Sequence, residues 1–462
     1  MSELQKNILP DLELFNQSGP YYTSYPILSE WQKLDGDAEY RAAIMAYNDS
    51  AILTRAGIYI HFPFCRTQCL YCACNACISS NAAEYTRFLN SLHAEIELLL
   101  SSFHNSDRIF RLVEIHFGGG TPSLLAGQQL RDIVNKIGMY LDLDGVQDFS
   151  IEVDPRTVTP SLLGIYREIG VNRLSFGVQE FDPQVQKAIN RIQPFELVEK
   201  LCIAAKREDF ASINFDILYG LPLQTHQSFM TTIKQVILLA PDRVSLIRYA
   251  HIPDSRPHQR VLDKYVMPSD KEKALMFFDA AQALVEAGWE HVGIDHFAKP
   301  ADSLAIAARN GCMTRNFGGY SAAGTEAILG LGPTATTRLG SCYAQNCYSL
   351  EDYYSAVSAG QYPVHRGHYL DTDELLRREV IMAILCQYKV DFKSFGERHN
   401  LVFTSYFAHE YDALHGFADI GFLELSERGL VVTPKGRFFL RHYCKIFDRV
   451  HCGNNNYVVA GP

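Results

Sequence analysis

From about residue 57 the chain repeats one pattern: a short run of β-branched and aromatic residues, a loop, then a stretch with helical spacing. Strands are predicted at Gly57–Phe62, Val113–Phe117, Phe149–Val153, Arg173–Val178, Ile213–Leu218 and Arg243–Tyr249. Between the first two, Tyr85, Phe88, Leu92, Ile96, Leu99 and Phe103 recur every three or four residues, which puts them on one face of a helix. Glu196–Arg207 and Ser228–Leu239 are spaced alike. Six strand–helix units in series predict a parallel sheet covered by helices. Six are too few to close an eight-stranded barrel. The expectation is therefore an α/β fold, an open, partial parallel β/α barrel, which His291–Phe297 would extend as a seventh strand.

After about residue 366 the character changes. Arg377–Cys386, Phe392–His399 and Phe407–Gly416 read as short helices, followed by LVVTPKGRFFLRHY. The expected organisation is an N-terminal arm over 1–50, carrying SGPYYTSYP, the barrel with an extension over 51–365, and a smaller, mainly helical C-terminal domain over 366–462.

Composition narrows the class. Hydrophobic residues make up 47% and charged residues 20%, enough for a large core. Lys plus Arg total 42 against 52 Asp plus Glu, a net charge of −10. That balance argues against a nucleic-acid partner, though a local basic pocket can still hold a small anion. No run approaches the roughly 18 apolar residues of a membrane span. The start, MSELQKNILPDLELFNQ, lacks the basic and apolar segments of a secretory leader. A cytoplasmic protein is expected. Twelve cysteines in a reducing compartment are not read as disulfides. Five fall between 65 and 77; the other seven are scattered and read as small buried hydrophobes.

The chemistry sits where such folds bind ligands, at the C-terminal ends of the strands. Cys65, Cys69 and Cys72 form C-x3-C-x2-C directly after the first strand. Three close thiolates can hold three irons of a cubane cluster and leave the fourth open. A zinc site completed by Cys74 or Cys77 is the alternative, but it gives no reason for the barrel around it. Gly118-Gly119-Gly120-Thr121-Pro122 follows the second strand, where glycines let the backbone approach a ligand. Glu152 and Asp154 end the third, Gln179 follows the fourth, Asp216 lies near the end of the fifth, and Tyr249-Ala250-His251 follow the sixth.

C-x3-C-x2-C followed by GGGTP resembles the radical S-adenosylmethionine (SAM) superfamily. The resemblance narrows to the oxygen-independent coproporphyrinogen III oxidase family. SGPYYTSYP, YIHFPFCRTQCLYCACN, IHFGGGTPS, SIEVDPR, NRLSFGVQEF, INFDILYGLPLQT, RYAHIP, GIDHFAKPAD, RNFGGY and CYAQN carry it over nearly the whole chain, and Cys74 supplies the more specific four-cysteine form C-x3-C-x2-C-x-C. It implies a [4Fe-4S] cluster on Cys65, Cys69 and Cys72, with SAM chelating the open iron and yielding a 5′-deoxyadenosyl radical. It also implies two SAM molecules. Tyr59, Gly119, Glu152 and Thr336 resemble contacts to the first. Tyr71, Gly120, Thr121, Gln179, Arg191, Asp216 and Ala250 resemble contacts to the second. Departures from the family are Gly318 in place of the glutamine of RNFQGY, Tyr71 where phenylalanine is common, and Thr336 at an apolar position.

The implied reaction is oxidative decarboxylation of coproporphyrinogen III to protoporphyrinogen IX, in haem biosynthesis without oxygen, with an unidentified reductant and electron acceptor and a monomeric enzyme. A related two-SAM methylation or cyclopropanation, or a haem chaperone on the same scaffold, are the alternatives; Cys74 and the tyrosine-rich arm favour the enzyme. Four propionates need cations. Arg156, Arg173, Arg248, Lys299 and Arg315 are candidates among which the sequence does not choose.

Overall fold

The computed structural model describes residues 12–17, 19–34, 36–49, 53–103 and 110–450. Six strand–helix units run in series. They are β1 (Thr54–Phe62) with α1 (Ala82–Leu100), β2 (Phe110–Gly119) with α2 (Gly127–Gly138), and β3 (Asp148–Val153) with α3 (Pro160–Ile169). The others are β4 (Arg173–Gln179) with α4 (Phe195–Arg207), β5 (Ser212–Tyr219) with α5 (His226–Leu239), and β6 (Arg243–Arg248) with α6 (Asp270–Glu286). The strands are neighbours in that order, and every pairing is parallel. Each predicted strand lies within an observed one or one residue beyond it.

The local causes are legible. Ile58, Ile60 and Phe62 on β1 are fully buried, the near-continuous apolar run of a strand covered on both faces. α1 buries Phe88, Leu92, Ile96 and Leu99, each contributing about 1.5–3 kcal/mol. α3 starts where the Thr159 hydroxyl accepts from Leu162 N, with Pro160 at its first position, and stops at Gly170 with φ 104°. α6 starts on a Ser269–Glu272 capping box.

The sheet is larger than the sequence predicted, with thirteen strands. Beyond β1 lie Ala327–Leu331, parallel to it, then Thr336–Leu339, Cys342–Asn346, Val364–Tyr369 and Gln32–Lys33, each antiparallel to the one before. Residues expected as arm thus supply an edge strand. His291–Phe297 is not a seventh parallel strand. The chain turns at Gly293, φ 64°, so Glu290–Val292 and His296–Ala298 form a hairpin whose second strand runs antiparallel to β6. An antiparallel edge cannot continue the barrel, which stays open.

The C-terminal part is mainly helical, as expected: Thr372–Gln387, Phe392–His399, Ala408–Asp419 and Leu440–Ile446, with a small antiparallel sheet of Lys389–Asp391, Gly429–Val432 and Leu423–Ser426. LVVTP is a strand and turn, in which Leu430 and Val432 are buried and Val431 exposed. Phe15, on the arm, packs against Phe277 and Phe278 of α6 and against Phe439. Ser18 of the SGPYYTSYP tract, Cys452 and the chain's first eleven residues lie outside the described residues.

Candidate active site

The cysteine loop leaves β1 at the C-terminal mouth of the barrel. Its base is closed by a parallel pairing of Phe64–Cys65 with Cys77–Ile78, in which Ser79 N donates to Cys65 O at 2.9 Å. Within it Cys72 N donates to Cys69 O at 3.2 Å. The loop is pinned from both flanks. Leu70 N donates to Ile189 O at 2.9 Å, and Asn190 Nδ2 to Gln68 O at 2.9 Å. From the segment after β6, Gln259 Nε2 donates to Tyr71 O at 2.9 Å, His258 Nε2 lies 2.7 Å from Cys72 O, and Arg256 Nε donates to Ala73 O at 2.8 Å.

All three cysteines are free thiols, Cys69 buried and the other two half-buried. Thr121 Oγ1 donates to Cys65 Sγ at 3.1 Å. Arg156 Nη2 and Arg191 Nη1 each lie 3.5 Å from Cys69 Sγ. Hydrogen bonding with Cys74, with the charges of Arg191 and Arg256, pulls the Cys72 thiol down. Burial pushes Cys65 up to about 12, which a bound cation would reverse. Among the described residues no three Cys, His, Asp or Glu side chains surround one ion position, so the zinc alternative has no ligand shell. Three free thiols in one pinned loop are the donor type that a [4Fe-4S] cluster takes.

β2 delivers the glycines. Gly119 has φ 108°, and a Cβ at Gly120 would stand 2.7 Å from Phe64 O, so the turn holds the cysteine loop as closely as backbone permits. Gly120 N donates to Phe62 O at 2.7 Å and Gly119 N to Glu152 Oε2 at 3.2 Å. Glu152 Oε1 lies 3.3 Å from His116 Nε2, whose ring stacks on Tyr59 with centroids 5.7 Å apart. Tyr59 OH lies 3.1 Å from His61 Nδ1. Thr336, Gly318 and His116 line one small cavity with Tyr59. The four residues expected round the first SAM, Tyr59, Gly119, Glu152 and Thr336, therefore lie together.

The second set converges from β4, β5 and β6. Gln179 has φ 68°, beside a register shift between Gly177 and Gln179; such strain in a non-glycine residue belongs to functional turns. Arg191 is not the solvated surface cation it could have been. It is 6% exposed and donates to Gly177 O at 2.5 Å, Asp154 Oδ2 at 3.1 Å and Cys69 Sγ, while its Nε has no partner. Against burial, Arg191 and Arg156 hold the Asp154 carboxyl below its usual range. Asp216 accepts from Ser175 Oγ at 2.9 Å and Asn214 Nδ2 at 2.8 Å. Burial pushes its carboxyl up, and the charge of Glu152, two strands away, adds to that. Gln259 Nε2 ties Ala250 O at 3.3 Å to the Tyr71 carbonyl it also holds.

The propionate candidates separate. Arg156 grips Asp154 with two nitrogens and faces Cys69. Arg173 opens β4 and pairs with buried Asp148 at 3.0 Å. Lys299 binds Ala240 O and Asp242 at the N-terminal end of β6, away from the mouth. Arg248 and Arg315 remain. Sequence reasoning missed the pinning trio Arg256, His258 and Gln259, which lies in a loop with no periodicity to mark it, and His61 and His116, whose alternation along β1 and β2 with buried residues was their one signal.

An open six-unit barrel with three thiols at its mouth defines a radical SAM enzyme, and the Radical SAM superfamily model matches residues 59–236. The HemN C-terminal domain model matches 370–439. Oxygen-independent coproporphyrinogen III oxidase of Pseudomonas aeruginosa is 38% identical over 441 residues, 94% of each chain. That of Escherichia coli is 35% identical, over 95% of this chain and 94% of its own. The solved coproporphyrinogen III oxidase (HemN) from Escherichia coli, described as a radical SAM enzyme, matches with a TM-score of 0.88 at 35% identity, over 93% of this chain and 97% of that one. The chain belongs to the oxygen-independent coproporphyrinogen III oxidase family.

Proposed function

We propose that this protein decarboxylates coproporphyrinogen III oxidatively to protoporphyrinogen IX without oxygen. It does so with a [4Fe-4S] cluster on Cys65, Cys69 and Cys72 and two molecules of SAM. The carrying observation is the pinned cysteine loop at the barrel mouth, with Arg156 and Arg191 on the Cys69 sulfur and two carboxylates, Glu152 and Asp216, on strands either side of β4. When bound, the cluster and SAM supply one-electron cleavage of a carbon–sulfur bond and the hydrogen-atom abstraction that follows.

The chain's own residues hold and shield. Arg156 and Arg191 balance negative charge on Cys69, and Thr121 donates to Cys65. Tyr59, Gly119, Glu152 and Thr336 would hold the first SAM. Tyr71, Gly120, Thr121, Gln179, Arg191, Asp216 and Ala250 would hold the second, carboxylates accepting from hydroxyl or ammonium groups and the arginine donating to a carboxylate. The buried walls of the barrel keep water from the reacting centre. Each transformed propionate loses a β-hydrogen atom, one electron and CO2, and becomes a vinyl group; the electron leaves to an external acceptor. No helix among the described residues is long and apolar enough to cross a membrane, and we place the enzyme in the cytoplasm as a monomer. The arm, barrel and helical C-terminal unit, divided near 50 and 366, belong to this reading, which the C-terminal domain match supports.

The test is anaerobic reconstitution and assay. Vinyl porphyrinogen and two CO2 per substrate are expected. A fully loaded protein that cleaves SAM yet leaves coproporphyrinogen III unchanged would overturn the reading.

A further inference from the structure

Three guanidiniums from distant parts of the chain meet beside the barrel mouth. Arg248 ends β6, Arg315 lies in the hairpin Thr314–Asn316/Gly319–Ser321, and Arg441 is on the last helix. All three close on arm residues 16–21. Arg315 Nε donates to Tyr21 O at 3.3 Å, Arg441 Nη1 to Gly19 O at 3.1 Å, and Arg248 Nη1 to Asn16 Oδ1 at 3.4 Å. The Arg441 guanidinium lies 4.8 Å over the Tyr21 ring, and that of Arg315 4.3 Å over Tyr320.

Negative charge is short here. Arg248 has Asp270 at 2.7 Å on the rim. Among the described residues the one other carboxylate facing the group, Asp295, is bonded to His296 at 2.7 Å and lies under the influence of both Arg315 and Arg441. Three cations thus face two carboxylates. Arg315 is only 6% exposed, and its Nη1 finds no partner. A buried guanidinium with an unmet donor and no carboxylate bonded to it is costly, and an incoming anion relieves that cost. Burial pushes the Tyr21 phenol up, while Arg441, Arg248 and Arg315 act on it in the opposite sense.

The place is next to the chemistry. Arg248 immediately precedes Tyr249 and Ala250. His296 pairs across the sheet with Ser245, which bonds the Asn214 that holds Asp216. Asn316 and Gly318, following Arg315, line the cavity beside Tyr59.

We propose that Arg248, Arg315 and Arg441, gathered round Tyr21 beside the Asp295–His296 pair, form a binding site for one carboxylate arm of a polycarboxylate macrocycle, anchoring a side chain that is not reacting. The site rests on the reading of the substrate given above. Planar guanidiniums suit a carboxylate because each can donate two parallel hydrogen bonds.

The test compares two ligands of one shape, coproporphyrin III and its tetramethyl ester, binding to the reconstituted holoenzyme by fluorescence polarisation. Arg315→Gln, Arg441→Gln and Arg248→Gln should each weaken the tetra-acid by about ten- to hundredfold, and leave the ester unchanged. KM for coproporphyrinogen III should rise in step, and iron content should hold. Because Arg441 and Arg315 also tie the arm, Arg248→Gln, whose partners are Asn16 and a rim carboxylate, reports on charge with the arm carbonyls still held. Unchanged affinity in all three variants, or equal losses for acid and ester, would overturn the site while wild-type decarboxylation left the function intact. A wild type that binds neither ligand and does not decarboxylate would instead remove the reading beneath it.

Discussion

Arg191 is the residue whose removal says most about the site, because it joins the Cys69 sulfur, the Asp154 carboxylate and the Gly177 carbonyl in one buried group. Arg191→Met leaves Asp154 to Arg156 alone. Breaking a buried pair costs about 3–5 kcal/mol. The two-nitrogen grip of Arg156 on Asp154, at 3.0 and 2.7 Å, offsets part of that. We expect a loss of about 2–3 kcal/mol in unfolding free energy, read by anaerobic urea denaturation of the cluster-free protein. Iron per chain after reconstitution should also fall, since the Cys69 sulfur loses one of its two guanidinium contacts. SAM bound per chain should drop from two towards one. Arg191→Lys should recover part of the stability and little of the SAM binding, because a point charge cannot serve three directions at once. Arg191→Met with Asp154→Asn should restore stability without restoring SAM. The pH dependence has a definite sign. A carboxyl held below its usual range contributes stability above its unfolded pKa, about 3.9, and loses it as pH falls through the folded value. Without Arg191 that loss comes earlier, so acid unfolding moves to higher pH. An Arg191→Met protein with the wild-type urea midpoint and two SAM per chain would refute this account.

Three further changes are informative. Cys65→Ala, Cys69→Ala and Cys72→Ala should each lose the visible iron–sulfur absorbance, whereas Cys202→Ala, on the buried face of α4, should keep it; a SAM-cleaving Cys69→Ala protein would dismiss the ligand set. Gly120→Ala puts a methyl 2.7 Å from Phe64 O, so the cysteine loop must shift, and iron loading should fall while the melting temperature changes little; full loading would mean that the loop tolerates displacement. Burial raises Glu95 to about 7, although Gly332 N, Asn346 Nδ2 and Tyr353 OH donate to it. Its contribution is complete below the unfolded carboxyl pKa and lost as pH rises through 7, so wild-type stability should fall between pH 5 and 8, and Glu95→Gln should flatten that slope.

The barrel was legible because its strands are buried on both faces and its helices on one, so the period of apolar residues changes from element to element. The strands at 327–331, 336–339, 342–346 and 364–369 were not. CYAQN stood out only through the family resemblance; it is buried at all five positions, so it shows no alternation to mark a strand. His291–Phe297 has strand composition, but only the positive φ at Gly293 decides that it is a hairpin. At the site, the rule that ligands gather at strand ends pointed to Glu152, Asp154, Asp216 and Gln179. The knot that Asp154 forms with Arg156 and Arg191 escaped it. Arg191 comes from a different loop than the other two, and no spacing in the chain encodes that two cations share one sulfur.

The charge balance shows how composition can be true and still local chemistry reverse it. The chain carries −10, yet Arg156, Arg191, Arg248, Arg315 and Arg441 all lie at or beside one rim of one sheet. Exposed acidic groups on distant helices are screened over about 8–10 Å by salt; a guanidinium buried against a thiol or a phenol is not. The net charge therefore bears on solubility, and it says nothing about the mouth. What decides the mouth is which cations lack carboxylates of their own. By that criterion Arg173 and Lys299 are structural, Arg156 and Arg191 serve the cysteine loop, and Arg315 and Arg441, joined by Arg248 with its rim partner Asp270, make up the proposed anion site.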